Sequence, residues 1–284
     1  ENKTNESINS FDDLNLKDNL LRGIYSYGFE NPSPIQSKAI PFMNTKNDLI
    51  AQAQSGTGKT GAFSIGILNN IDPSQQSIQA LVVNPTHELA NQNCNVMREL
   101  SNYMNVDILP VVGGTNVRKC QDDLQKEPHI VVGTPGRILD MIQKQYLYTK
   151  DIKLLIFDEA DEILSHGFKD SIYNIIQFIP KETQICIFSA TMPPEVIDLT
   201  NKFMSSPERI LVNKDKLTLE GILQFYINVK VNDWKFETLI DIYDTINVSQ
   251  CIIYINSKNK LMEINEKLKN LGYPVECIHG ELSS

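Results

Sequence analysis

The stretch Ala53-Gln54-Ser55-Gly56-Thr57-Gly58-Lys59-Thr60 limits the architecture more than any other part of the chain. Asp48-Leu49-Ile50-Ala51 ahead of it reads as a short buried strand, and Gly61 to Leu68 behind it as a helix. The glycine-rich turn is therefore expected at a strand-to-helix junction, the geometry of a phosphate cradle. Gly56 and Gly58 let the backbone fold into a nest of N–H groups, and the helix start adds its positive dipole end. Lys59 supplies a point charge for the outer phosphates, and Thr60 is placed to ligate Mg²⁺. The stretch departs from the G-x-x-x-x-G-K-[ST] pattern at its first position, where Ala53 stands for glycine. A plain structural turn is the competing reading, and the second half of the site has to decide.

Short β-rich runs recur along the chain with helical stretches between them: Ile78 to Val83, Val106 to Val112, His129 to Val132, Lys153 to Phe157, Gln184 to Phe188 and Arg209 to Val212. Strands alternating with helices imply right-handed crossovers and a parallel sheet covered on both faces. Ligands then collect where the strands end. Residues 1–10 form a polar tail, expected to be disordered, ahead of a domain over residues 11–213. Residues 214–221 are charged and polar and read as an interdomain linker. A second α/β series follows in 222–284, with strands expected at Leu223 to Val231, Cys251 to Ile255 and Val275 to His279, and a helix at Asp233 to Thr245. It is too short to complete a sheet of the first kind, so the second domain is expected to be cut short.

Composition narrows the classes. The five cysteines are scattered without a C-x-x-C pair, and the four histidines have no metal spacing. Reduced, mostly buried thiols are expected. No apolar run reaches the length of a membrane span and the first ten residues carry no apolar signal core, which points to a cytoplasmic location, with the nucleus as an alternative. The net charge of −9 argues against strong non-specific binding to duplexes. A narrow basic track on an acidic protein can still hold a phosphodiester backbone.

Leu154-Leu155-Ile156-Phe157 runs directly into Asp158-Glu159-Ala160-Asp161. An apolar strand that delivers carboxylates at its end, beside the strand of a phosphate loop, completes the metal site of a P-loop ATPase. Asp158 would hold Mg²⁺, and Glu159 would orient the water that attacks the γ-phosphate. The competing reading is an acidic cluster that caps the next helix.

The tetrad gives the chain a specific resemblance: it is similar to the DEAD-box RNA helicases over nearly its whole length. The resemblance implies two RecA-like α/β domains, the first a parallel-sheet P-loop domain and the second truncated, with ATP and Mg²⁺ as ligands. Gly28 to Gln36 resembles the family's Q motif, in which the glutamine amide reads the adenine edge while an aromatic stacks on the base. Gln36 offers both a donor and an acceptor, so it can require adenine. Phe29 is the stacking candidate and Phe11 matches the family's isolated upstream aromatic, although core packing is the commoner role of either ring alone. Pro85-Thr86-His87-Glu88-Leu89-Ala90, Gly113-Gly114 and Thr134-Pro135-Gly136-Arg137 resemble the RNA-facing motifs of the first domain. Such groups grip phosphates and sugars without reading bases, so the grip on single-stranded RNA is expected to be sequence-tolerant. His87 stands where the family has arginine, which removes a permanent charge and a fork of donors.

Ser189-Ala190-Thr191 resembles the motif that couples hydrolysis to strand separation, with Asp161 as its neighbour. Asn256, in Tyr254-Ile255-Asn256-Ser257, matches an RNA-contacting motif of the second domain, and His279-Gly280-Glu281 the start of a later block. Leu217 to Gly221, Trp234-Lys235-Phe236 and Phe11 to Leu16 are most similar to the eukaryotic translation initiation factor 4A branch. The resemblance thus implies an ATP-dependent RNA helicase that unwinds short duplexes locally, with protein regulators as partners and no membrane. The arginine pair that completes the family's ATP site would lie beyond Ser284, so turnover by this length of chain is expected to be very low. Two rivals stay open: an ATP-gated RNA clamp that nucleates an RNA–protein assembly, and a P-loop kinase or GTPase. The latter would need an acceptor pocket or an N/T-K-x-D motif, neither of which stands out.

Overall fold

Four-to-six-residue apolar runs become strands here because each finds a parallel partner, and the five inner strands find two. The computed structural model describes residues 8–165, 167–211, 222–246, 249–280 and 282, and divides into two units, Glu1–Glu220 and Gly221–Ser284. The linker expected over 214–221, residues 1–7 of the expected tail, and Glu281 lie outside the described residues.

The first unit carries β1 (Leu49–Gln52), β2 (Ala80–Val83), β3 (Ile108–Val111), β4 (Ile130–Gly133), β5 (Leu154–Asp158), β6 (Gln184–Ser189) and β7 (Glu208–Leu211). They form one sheet in the order β3-β4-β2-β5-β6-β1-β7, with every pairing parallel. The observed strands are trimmed relative to the sequence reading where a run outlasts its neighbours. Asp48 stands just before β1, where its Oδ1 accepts the Ile185 N–H at 2.8 Å and its Oδ2 the Ser205 N–H at 3.1 Å.

Among the described residues of this unit, nine α-helices cover the two faces: α1 (Asp18–Tyr27), α2 (Pro34–Met43), α3 (Lys59–Asn70), α4 (His87–Leu100), α5 (Val117–Leu124), α6 (Pro135–Gln143), α7 (Ala160–Ser165), α8 (Lys169–Phe178) and α9 (Pro194–Phe203). The period of two along the strands sorts their side chains. Leu49, Ala51, Ala80, Val82, Leu154, Ile156, Cys186 and Phe188 pack into one core with α1 to α4. Ile50, Leu81, Val83, Leu155, Phe157, Ile185 and Ile187 pack into the other with α5 to α9.

Sheet order also sets out the chemistry. Phe157 pairs with Ile187 and Gln52 with Ser189, so β1, β5 and β6 end side by side. On the far side of β5, Val83 pairs with both Phe157 and Gly133, and Gly133 with Val111, which lines up the ends of β2, β4 and β3.

The second unit corrects the sequence reading. The helix expected at Asp233 to Thr245 is found, as a 3-10 turn (Asn232–Trp234) and α10 (Lys235–Thr245), and a further helix, α11 (Lys258–Asn270), follows that the sequence reading did not include. Among the described residues of 222–284 there is no strand, and the runs from Leu223, Cys251 and Val275 are irregular. Phe225 is 87% and Tyr254 88% exposed. β-Propensity records how well a residue fits a pleated, half-buried surface, and without ladder partners it cannot make a strand.

Candidate functional site

The glycine-rich turn joins β1 to α3 as expected. Positive φ falls on Gly56 (79°) and Gly58 (101°), the latter the N-cap of α3. Ala53 lies outside the left-handed region, and its backbone N–H donates to Ser189 O at 3.1 Å. A Cβ is harmless there, which resolves the departure from the glycine pattern. Thr57 Oγ1 closes the turn by donating to Gln54 O at 2.7 Å.

Lys59 and Thr60 open α3. Lys59 is 5% exposed, and its Nζ lies 2.9 Å from Glu159 Oε2. The turn and the acidic tetrad therefore face one another. Asp158 ends β5 and is 3% exposed, while Glu159, at φ 51°, turns the chain into α7. Burial pushes the Asp158 carboxyl up to about 6, against the pull of its hydrogen bond from Asn93.

Asp161 is the anchor for the end of β6. Thr191 donates to its Oδ2 from the backbone N–H at 3.0 Å and from Oγ1 at 2.5 Å, and the Asp161 N–H donates to Ser189 Oγ at 3.3 Å. Burial works to raise its pKa, but the Thr191 and Ser189 hydrogen bonds outweigh it and hold the carboxyl below the ordinary value. A cleft of about 410 Å³ opens here, lined by Glu159, Asp161, Glu162, Ser165, Thr191 and Pro193.

The Gly28–Gln36 segment packs on the same helix start. Ser33 caps α2 and Gln36 completes the capping box, its Oε1 accepting the Ser33 N–H at 2.8 Å. Gln36 Nε2 donates to Gly58 O at 3.3 Å. One hydrogen on Nε2 and one lone pair on Oε1 are left over, enough for one donor and one acceptor bond to an adenine edge. Gly61 permits this approach, since a Cβ there would stand 2.5 Å from Gln36 Nε2 and 3.1 Å from Phe29. Phe11 is a correction: at 0% exposure it is a core residue, stacked on Phe29 with ring centroids 6.1 Å apart. It supports the Phe29 ring, which is half-buried, and presents no face of its own to a ligand.

The motifs compared with RNA contacts gather at the ends of β2, β3 and β4. Pro85 is buried and Thr86 caps α4, accepting the Leu89 N–H at 3.2 Å. His87 Nε2 lies 3.1 Å from where a side chain on Gly113 would begin, next to Gly114 at φ 70°. Thr134 and Pro135 are buried at the start of α6, beside exposed Gly136. Arg137 reaches back to Thr115, Nη1 to Oγ1 at 3.3 Å and Nη2 to the carbonyl at 3.4 Å. Asn256 belongs to the second unit, exposed and one residue before Ser257, which caps α11.

Two residues were missed by the sequence reading. Asn84 and Asn93 both donate to Asp158 Oδ2, at 3.1 and 2.8 Å. Asn93 was visible as the one amide in the buried stripe Ala90, Asn93, Cys94, Met97, Leu100 of α4.

The donor set fits Mg²⁺. The Thr60 hydroxyl and Asp158 carboxylate are hard oxygens, each one residue from a member of the Lys59–Glu159 pair, and Mg²⁺ commonly takes one or two protein oxygens beside substrate phosphates. Among the described residues no group of three or more His, Cys, Asp or Glu gathers elsewhere as a metal cluster. None of their helices is long and apolar enough to cross a membrane.

Comparison with known proteins gives a consistent answer. The DEAD/DEAH box helicase profile matches residues 33–199, more than half of the 284-residue chain. Eukaryotic initiation factor 4A of Caenorhabditis elegans is 52% identical over 282 residues, 99% of this chain and 70% of that protein. The ATP-dependent RNA helicase fal1 of Schizosaccharomyces pombe is 49% identical over 282 residues, 98% of this chain and 72% of that protein. Among solved structures, S. cerevisiae Dbp5 bound to RNA and ADP BeF3 is similar with a TM-score of 0.84 and 32% identity, over 97% of this chain and 70% of that one.

Proposed function

This chain belongs to the DEAD/DEAH box helicase family, and from that premise we propose that it is an ATP-dependent RNA helicase of translation initiation. It binds ATP with Mg²⁺, holds single-stranded RNA without regard to sequence, and opens short duplexes locally in the cytoplasm. The 52% identity to initiation factor 4A and the RNA-bound Dbp5 structure support this reading. The observation that carries it is the 2.9 Å approach of Lys59 to Glu159, because it joins the phosphate turn to the carboxylates.

The backbone N–H groups of Gln54 to Thr60 and the start of α3 cradle the phosphates, and Lys59 exchanges Glu159 for a phosphate oxygen. Gln36 selects adenine, and Phe29, backed by Phe11, offers a ring to the base. Thr60 and Asp158 would hold Mg²⁺, which would supply charge neutralisation at the outer phosphates. Glu159, freed from Lys59, orients the attacking water and takes its proton. Asp161 ties the carboxylate loop to Ser189 and Thr191, so a change at the nucleotide reaches the end of β6. Thr86, His87, Gly113, Gly114, Gly136 and Arg137 contact RNA phosphates and sugars in the first unit, with buried Pro85, Thr134 and Pro135 shaping the turns that present them, and Asn256 makes such a contact in the second. Protein regulators act on this cycle.

The test is RNA-stimulated ATPase and short-duplex unwinding by the full-length protein, alongside Glu159→Gln. Loss of hydrolysis with retained ATP binding is expected. Equal turnover in the variant, or no ATP binding by the wild type, refutes the assignment.

A further inference from the structure

Asp158 is a buried carboxylate whose surroundings are more specialised than the end of a strand requires. Asn84 follows β2 at the position beside Asp158, because Val83 pairs with Phe157. Asn93 comes from the opposite element, the buried face of α4. Their exposures are 0% and 1%, and both side-chain amides donate to the same atom, Oδ2, at 3.1 and 2.8 Å. Two donors from different elements fix the carboxylate's otherwise broad terminal torsion and leave its second oxygen clear of side-chain donors among the described residues.

Asn84 carries a second, independent sign. Its Nδ2 is committed to the carboxylate, which fixes the orientation of the amide, and its Oδ1 is buried with no hydrogen-bond partner. An unsatisfied buried acceptor is destabilising, so a fold with no use for it would be expected to place an apolar residue there. Mg²⁺ keeps several waters when it binds through one or two carboxylates, and each of those waters is a donor in search of an acceptor.

We propose that Asn84 and Asn93 are positioning residues for the nucleotide-bound divalent cation. Together they clamp Asp158 through Oδ2, and Asn84 Oδ1 accepts a hydrogen bond from the cation's water shell. The inference rests on the proposed ATP and Mg²⁺ site. It assigns the quality of metal binding to two amides outside the phosphate turn and the tetrad, and predicts that their loss is felt by the ion before it is felt by the nucleotide.

The experiment uses the full-length protein, saturated with a non-hydrolysable ATP analogue. Mn²⁺ is titrated and followed by electron paramagnetic resonance, with the analogue alone subtracted. Asn93→Ala and Asn84→Ala are each expected to weaken Mn²⁺ binding about tenfold or more, in the range seen when partners of metal ligands are removed. Affinity for the analogue in EDTA should stay within about twofold, since the clamp touches no phosphate-binding group. A folded variant whose Mn²⁺ affinity changes less than about threefold overturns the proposal, as does an equal loss with and without metal. Should either variant fail to fold, Asn93→Ser and Asn84→Ser replace them, and if none folds the pair is a stability element and the proposal falls. Absence of any protein-dependent Mn²⁺ signal in the wild type instead refutes the parent reading of the site, and this inference with it.

Discussion

The Lys59–Glu159 pair makes a prediction whose two halves pull in opposite directions. In the free protein the lysine is 5% exposed, the glutamate side chain 21%, and their charged atoms lie 2.9 Å apart. Glu159→Gln keeps an acceptor oxygen for Lys59 but removes the charge. A hydrogen bond to a charged group contributes about 1.5–3 kcal/mol and a neutral one about 0.5–1.5, and the partial exposure of Glu159 favours the low end of that difference. The variant should therefore lose about 1 kcal/mol of stability without ligand, which for a unit of this size lowers Tm by about 2–4 °C. Phosphate binding must break the same pair, so ATP affinity should rise about fivefold by the same energy. Thermal melts of ligand-free protein and titration of a fluorescent ATP analogue read the two effects separately. A variant that melts at the wild-type temperature and binds ATP no more tightly would show that the pair holds nothing back, and would refute the reasoning.

Gly61→Ala puts a Cβ 2.5 Å from Gln36 Nε2 and 3.1 Å from Phe29, so it should cost about 1–3 kcal/mol and erode the preference for ATP over GTP. Melting and a competition assay between the two nucleotides check both effects. Asp158, raised to about 6, binds its proton more tightly in the folded state, so its contribution to stability is fully present below the ordinary value of 3.8 and is lost as pH rises through 6. In EDTA, Asp158→Asn should gain on the wild type by about 3 kcal/mol between acidic and neutral pH, and parallel stability curves from pH 4.5 to 7 would contradict this. Burial pushes the Cys94 thiol up to about 12 and raises that of Cys186 as well, whereas Cys251 is exposed. Native alkylation at pH 8, read by mass spectrometry, should label Cys251 and spare the other two.

What could be read without coordinates was what is local in the chain. The phosphate turn carries its glycines, lysine and threonine within eight residues, and the tetrad follows an apolar run directly, so each announces its own geometry. The parallel sheet followed from alternation alone. Asn84 gave no sign of its role, and Asn93 showed only as a polar break in an apolar stripe, because the residue that gives both their meaning is more than sixty positions away. Phe11 was misjudged because a motif position says nothing of depth, and here the ring lies under Phe29. The three runs of the second unit have strand composition, but a strand is a property of a pair, and composition does not supply the neighbour.

The main-chain bond from the Ala53 N–H to Ser189 O has a companion, Gln52 Nε2 to Ala190 O at 3.1 Å. Between them they rivet the entrance of the phosphate turn to the segment that grips Asp161. A displacement at one crosses to its neighbour over a single interstrand spacing of about 5 Å. Since one of the two rivets is backbone, no side-chain replacement short of proline at Ala53 can remove it. Variants that disconnect nucleotide from RNA should consequently arise at the side-chain links beyond this joint, at Asp161, Ser189 and Thr191, and not within the joint itself.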